Sequence, residues 1–338
     1  MDIYQLGEFG LIDEIKKKFP CKEKSSLLGI GDDAAIINFN SKLTVVSSDM
    51  LIEGIHFDLS YFPLKHLGYK SVIVNLSDIY SMNANPSQIL LNIALSSKFR
   101  SDAIHEFYEG VKIACDEYNI DLVGGDTSSS VSGMTISCTA IGSVDKKNIT
   151  RRDGAKPNDI ICVSGDLGRS YIGLMILQRE KSNFIKNPKS QPELENYKDL
   201  IEKQLRPKAR NDIIKYLSEH NVKPNSMIDV SDGISSDLVH ISQSSNLGFK
   251  VFEDKLPISK EVKKISKELN LDYISSALNG GEEYEILFSL SPEDFNKIDK
   301  KVSDISPIGF FTNNKDKTIV CRDGSEDELK SYGWKHFK

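Results

Sequence analysis

The chain has little of what would mark several large protein classes. Its five cysteines, Cys21, Cys115, Cys138, Cys162 and Cys321, are odd in number and scattered, with no CxxC or Cys/His spacing. That excludes a zinc site or disulfide framework read from spacing. No apolar run approaches the roughly 18 residues of a membrane span. The N-terminus, "MDIYQLGEFGLIDEIKKKF", carries acidic residues and lacks the apolar core of roughly 7–15 residues that a secretory signal needs. A reduced cytoplasm is therefore the expected setting, with no membrane partner. Basic charge is also in deficit: the net charge of -6 lacks the footprint of a nucleic-acid binder. There is no G-x-x-x-x-G-K-[ST] loop, no G-x-G-x-x-G fingerprint, no protein-kinase motif set and no G-x-S-x-G elbow. A nucleotide, if bound, is bound by another architecture.

What remains is a globular chain of 338 residues, 39% hydrophobic and 27% charged, long enough for about two domains. Strand-like runs fall at 42–49, 88–95, 121–126, 134–144, 159–165, 226–233, 284–290 and 317–324. In "LGYKSVIVNLSDIYSM", Tyr69, Val72, Ile73, Leu76 and Tyr80 recur on one helical face. Segments 101–118, 170–180, 194–220, 234–246, 259–269 and 292–301 also read as helices. Mixed strands and helices predict an α/β (α+β) protein. The polar stretch "DKKNITRRDGAKPND" (145–159) places the boundary between an N-terminal domain, 1–145, and a C-terminal domain, 146–338. "NFIKNPKSQPELEN" (183–196) reads as an exposed loop. Two short echoes, "GGDT" with "GGEE" and "SSDMLIEG" with "VSDGISSD", are only weak grounds for a duplicated ancestor.

Carboxylates recur at the ends of apolar runs. "LGIGDDAAII" holds Asp32 and Asp33, "VVSSD" ends at Asp49, "LVGGD" at Asp126, and "MIDVSD" carries Asp229 and Asp232. Asp78 lies on a helix, one turn after Asn75 and opposite the apolar stripe. Each alone is explained by capping or a turn. Together they sit where ligands gather in open α/β sheets, at strand C-termini. Converged, two such charges about 4 Å apart repel by about 4 kcal/mol at an effective dielectric near 20, so protons or cations must accompany them. All-oxygen ligands favour Mg²⁺ or Mn²⁺, and Mg²⁺ also binds substrate phosphates, which gives an acidic protein a route to a nucleotide. Gly29, Gly31, Gly124 and Gly125 allow close backbone approach to a ligand. Gly165 and Gly168 in "SGDLGRS" precede a helix whose amides can hold an anion. Tight turns explain these glycines equally well.

The ordered set "GIGDDAAII", "SSDMLIEGIHF", "NLSDIYSMNANP", "LVGGDT", "TRRDGAKPND", "DVSDGISSDL", "NGGEEYEILF" and the tail "GWKHF" resembles the thiamine-monophosphate kinase family, within the superfamily of aminoimidazole ribonucleotide synthetase and selenophosphate synthetase. The resemblance runs from Gly7 to Phe337. It implies ATP-dependent phosphorylation of thiamine monophosphate to thiamine diphosphate by a Mg²⁺-assisted γ-phosphoryl transfer. It also implies an aminoimidazole-ribonucleotide-synthetase-like fold, a homodimer paired through the N-terminal sheets, and a C-terminal α/β domain closing over the site. Carried across by motif, Asp33, Ser47, Ser48, Asp49, Asp78, Asp126, Asp229 and Asp232 would bind several Mg²⁺ ions. Gly125, Asp126, Arg151 and Ser231 would contact ATP, and His56, Glu282 and Trp334 the thiamine phosphate. Asp49, Asp126 and Arg151 would carry the catalysis. The attacking phosphate oxygen is already ionised near neutral pH, so the work is positioning and charge neutralisation rather than proton removal.

Some positions depart from the family pattern. Ser48 stands where threonine is usual and keeps the hydroxyl. Asn83 replaces a glycine, and asparagine tolerates a left-handed helix end. Tyr80 and Ser81 replace small residues, and Lys335 stands where Asp is common. Two alternatives stay open: a selenophosphate-synthetase-like or aminoimidazole-ribonucleotide-synthetase-like ATPase, and a nucleotide sensor that has lost catalysis. "PCKEK" around Cys21 is a faint version of a selenium-handling site, and the intact carboxylates argue against the sensor.

Overall fold

A computed structural model of the chain describes residues 26–28, 32–38, 42–299, 304–330 and 332–333. Alternation in β3 (Lys42–Ile52) buries Leu43, Val45, Ser47 and Leu51 on one face and leaves Ser48, Met50 and Ile52 exposed on the other, as the two-residue repeat of a strand requires. Its neighbour β6 (Met134–Asp145) buries Met134, Ile136, Cys138, Ala140 and Val144 in the same rhythm. With β1 (Ser26–Leu28), β2 (Ala35–Asn38), β4 (Asn85–Leu95) and β5 (Asp121–Ser129) they form a six-stranded sheet ordered β1-β2-β3-β6-β4-β5. β4 and β5 run parallel; the other pairs are antiparallel.

Helices α1 (Leu64–Ser81) and α2 (Ser101–Tyr118) cover this sheet. They touch backbone to backbone, because a Cβ on Gly68 would stand 1.9 Å from the Phe107 carbonyl oxygen and one on Gly110 would stand 1.8 Å from that of Lys65. The apolar stripe predicted for α1 is narrower than its buried surface. Lys70, Asn75, Ser77 and Ser81 are buried too, because α1 packs on β3, β4 and β6 and also on β8 and α4 of the second unit. A helix buried all round shows little amphipathic signal.

The second unit is a seven-stranded sheet of β7 (Ile160–Ser164), β8 (Ser226–Asp229), β9 (Gly248–Phe252), β10 (Ile286–Leu290), β11 (Ile305–Thr312), β12 (Lys317–Val320) and β13 (Glu326–Glu328), ordered β13-β12-β9-β11-β7-β10-β8. Its helices are α3 (Arg169–Lys186), α4 (Lys198–Leu205), α5 (Asn211–Glu219), α6 (Ile234–Ser245), α7 (Lys260–Glu268), α8 (Tyr273–Asn279) and the single turn α9 (Pro292–Phe295). The architecture is thus two-domain α/β, with largely antiparallel sheets. Segment 194–220, predicted as one helix, is a 3₁₀ turn at Glu195–Tyr197 followed by α4 and α5. Pro207 cannot donate to a helical ladder and separates α4 from α5. β11 escaped the sequence reading because Pro307 and Gly309 sit inside it, where its register with β7 shifts.

Candidate active site

Four elements deliver carboxylates to one place. Asp33 precedes β2, Asp49 lies in β3 on the helix-covered face, Asp78 is in the last turn of α1, and Asp229 ends β8. Asp33, Asp78 and Asp229 each present an oxygen within 4.8 Å of the others, and Asp49 lies close enough to Asp78 and Asp33 for their charges to interact. Neutral neighbours hold two of the carboxylates and the backbone of a third. Ser47 donates to Asp78, Ser77 Oγ donates to Asp229 Oδ2 at 2.6 Å, and the Asn75 side-chain oxygen accepts from the Asp49 amide at 3.0 Å.

Burial and like charge act together on this group. Burial, then Asp49, Asp229 and Asp33, pushes Asp78 well above the usual carboxylate range. Burial, then Asp33, raises Asp229 to about 7. Asp32 rises to about 6 by burial and the adjacent Asp33, and burial raises Asp49. The site is built to disfavour its own charge. Among the described residues one cation faces it: Arg152 Nε donates to Asp33 Oδ2 at 2.9 Å, its second nitrogen bonds Asp33 Oδ1, and Asp32 lies 3.5 Å away. Burial works against the Arg152 charge, but Asp33 and Asp32 outweigh it.

These groups line a cavity of about 1830 Å³ between the two sheets. A single small-molecule ligand typically occupies about 300–1,000 Å³, so this volume admits two. Ser47, His56, Ser231, Asp232 and Glu282 also line it, as do Tyr332 and Gly333. His56 Nδ1 accepts from the Ile52 amide at 3.0 Å, which places the ring proton on Nε2. Glu282 does not begin a strand: it stands in a left-handed backbone conformation at φ 62, ahead of β10.

Other predicted residues stand apart from the carboxylate cluster, though Ser48 still lines the cavity. Arg151 is bound to Asp153, with Nε donating to Oδ1 at 2.9 Å, and does not line the cavity. The arginine brought to the carboxylates is its neighbour Arg152. Ser48 lies on the opposite face of β3 from Ser47 and Asp49, and its hydroxyl meets Thr139 Oγ1 at 2.8 Å. Strand parity alone separates it from them. Asp126 lies on β5, in register with Asn92, Ser137 and Met50 across the sheet. Three strand spacings of about 4.8 Å put it about 14 Å from β3. Beside it, Gly125 has φ 152, and a Cβ there would stand 1.8 Å from the Leu91 carbonyl oxygen. This glycine is required by the β4–β5 pairing.

The α3 N-terminus after Gly165 and Gly168 is already occupied by a side chain, because the Ser170 amide donates to buried Glu283 Oε1 at 3.0 Å. Asn83 closes α1 at φ 56. Trp334, Lys335, Cys21, Gly29 and Gly31 lie outside the described residues.

The N-terminal sheet corresponds to the family "AIR synthase related protein, N-terminal domain", whose model matches residues 31–144. Fold and site together therefore define an AIR-synthase-related protein of two α/β domains. The whole chain is 36% identical over 338 residues to the thiamine-monophosphate kinase of Aquifex aeolicus, covering 100% of both chains. It is 32% identical to that of Bacillus subtilis over 98% of this chain and 100% of the relative. A solved structure described as AaThiL complexed with AMPPCP and TMP superposes with a TM-score of 0.84 at 34% identity, over 100% of this chain and 99% of the other. The chain belongs to the thiamine-monophosphate kinase family.

Proposed function

We propose that the chain transfers the γ-phosphoryl group of ATP to thiamine monophosphate, giving thiamine diphosphate. The observation that carries this reading is the cavity lined by under-neutralised carboxylates together with His56 and Glu282. Its volume suits a nucleotide beside an acceptor, and a relative has been solved with AMPPCP and TMP together.

Asp33, Asp49, Asp78 and Asp229 fit Mg²⁺: an all-oxygen set, buried, with more negative charge than Arg152 can offset. Bound there, Mg²⁺ would neutralise phosphate oxygens and help align donor and acceptor. Ser47 and Ser77 hold carboxylates in orientation and Asn75 fixes the Asp49 backbone, as groups behind metal ligands do. Asp232 and Ser231 extend the same wall toward the nucleotide. Arg152 is placed to turn its donor fork from Asp33 to a phosphate. Its closeness in sequence to Arg151 makes it the better bearer of the ATP contact.

Glu282 accepts hydrogen bonds, which suits the aminopyrimidine, and His56 Nε2–H is a donor for the acceptor phosphate. Trp334 keeps its proposed aromatic contact to the cationic thiazolium. No residue needs to remove a proton from the attacking phosphate.

We also infer a homodimer through the N-terminal sheet. Every residue of β5 is exposed, including Leu122 and Val123, and Met50, Ile52 and Ile55 add apolar surface. A long exposed edge strand of this kind is a pairing surface. Asp126 then serves a site from across the dimer rather than within its own chain. The domain division falls at 145/146. Cys115, Cys138, Cys162 and Cys321 are free, in keeping with a reducing cytoplasm.

The test is turnover by purified protein with ATP, Mg²⁺ and thiamine monophosphate, with products separated by chromatography. Thiamine diphosphate formed in step with ADP, and abolished by EDTA, is the expected result. ADP without thiamine diphosphate would assign another superfamily ATPase, and nucleotide binding without ADP a sensor.

A further inference from the structure

Folding rarely takes lysine fully out of water unless the charge is paired, yet Lys70 in α1 is 1% exposed. Its Nζ lies 2.9 Å from Glu282 Oε1 and donates to the Gln204 carbonyl at 3.0 Å. Both partners belong to the second unit. The other Glu282 oxygen, Oε2, accepts from Gln204 Nε2 at 2.7 Å, and the Gln204 side-chain oxygen is held by the Ser170 hydroxyl. Glu282 is therefore gripped at both oxygens while its side chain stays 27% exposed at the cavity wall.

The backbone beneath it is unusual. Glu282 has φ 62 and Tyr284 φ 51, neither of them glycine. Such conformations persist where the surroundings over-determine them and cluster at functional sites. Here the Glu282 amide donates to the Ser231 carbonyl at 2.7 Å and the Tyr284 amide to that of Val230 at 2.9 Å. Seven residues after Lys70, two turns along the same face of α1, Ser77 grips Asp229. One helix of the first unit thus holds two carboxylates of the second.

We infer that Lys70 is a positioning residue for the acceptor. It fixes the Glu282 carboxylate toward the cavity, so that the acceptor-binding wall is complete only while the two units are docked. A buried ion pair is weak evidence for stability, and the Lys70 Nζ, 5.4 Å from the Phe62 ring centroid, adds a cation–π contact. Besides its bond to the Gln204 carbonyl and its place over the Phe62 ring, lysine adds a grip on one carboxylate oxygen. The inference rests on the reading that Glu282 meets the thiamine part of the acceptor.

The experiment compares Lys70→Met, Lys70→Arg, Glu282→Gln and the double variant Lys70→Met/Glu282→Gln in steady-state turnover. Lys70→Met is expected to raise KM for thiamine monophosphate on the order of tenfold and leave KM for ATP nearly unchanged. Lys70→Arg should recover much of that loss. The double variant should be no worse than Glu282→Gln alone, the non-additivity of groups acting as one unit. Should Lys70→Met not fold, Gln204→Leu releases Oε2 with Lys70 in place and should again raise the acceptor KM alone. Equal shifts in both KM values, additive losses, or a lower melting temperature with unchanged kinetics would overturn the inference. Wild-type protein that makes no thiamine diphosphate would overturn the functional reading itself, and this inference with it.

Discussion

The protein buries two groups of carboxylates and treats them differently. In the second unit, Glu285 accepts from Ser164 Oγ at 2.6 Å, from Lys203 Nζ at 2.5 Å and from Arg210. Burial opposes its charge, but Lys203 and Arg210 together hold it below the usual carboxylate range. Beside it, burial raises Glu283 to about 8, against the pull of Lys203, while the α3 N-terminus satisfies one of its oxygens. Between the units, Asp33, Asp49, Asp78 and Asp229 share a single arginine among the described residues. A cluster with its cations built in is a structural joint. One left short of cations holds its charge for something that arrives from outside.

The contrast can be broken by neutralising each cluster in turn. Asp78→Asn should lower turnover by about 10²–10³-fold, the scale of losing several kcal/mol of charge stabilisation, while raising the melting temperature of metal-free protein, since a repulsion is removed. Unchanged specific activity with lost stability would make the first cluster structural. Arg210→Met should do the opposite: by stranding Glu285 it should cost about 3–5 kcal/mol in denaturant unfolding, with the folded fraction still active.

Asp126 sharpens the comparison by asking whether the first cluster is complete in one chain. Asp49→Asn and Asp126→Asn homodimers should both be nearly inactive, whereas co-expressed mixed dimers should recover up to about a quarter of wild-type activity, through one intact site per heterodimer. No recovery would return Asp126 to its own chain or remove it from the site. Arg152→Ala should raise KM for ATP on the order of tenfold and Arg151→Ala hardly at all, because an exposed pair such as Arg151–Asp153 contributes little.

The smallest effect is in pH. The folded pKa of Asp229 lies near 7 against 3.8 for the free side chain, so between those values the folded state holds more protons than the unfolded one. Stability of metal-free protein is therefore full below about pH 4 for this group and lost as pH rises toward 7. Melting curves in EDTA should fall across that window, and Mg²⁺ should flatten them. A metal-free curve already flat would mean the carboxylates are not crowded.

Much of the site could be read before the fold was known. Asp49 and Asp229 end apolar runs, Asp33 leads into one and Asp78 lies on a helix, and the structure brings all four together, whereas Asp126, marked by the same pattern, is three strands away from β3. The helix carrying Asp78 and the strand carrying Asp49 were visible in their periodicity. What periodicity hid was equally specific. α1 packs between two units, so its polar buried face, with Lys70 and Ser77, carried no amphipathic signature. β11 was masked by Pro307 and Gly309. Between Arg151 and Arg152 a 3₁₀ turn begins at Arg152, and that turn, not residue type, decides which guanidinium faces the carboxylates. Counting from Ser47 would have separated Ser48 from the carboxylate cluster, because neighbours on a strand point to opposite faces, although Ser48 still lines the cavity.

Sequence by itself determined the family, the α/β class and the supply of carboxylates, because ordered motifs and local periodicity are properties of short stretches of chain. Tertiary structure alone decided which carboxylates are left short of cations, which arginine answers them, and that Glu282 is held by a lysine more than two hundred residues away in the chain. Charge balance and burial depend on distances through space, and only the packing of α1 between the two sheets sets those.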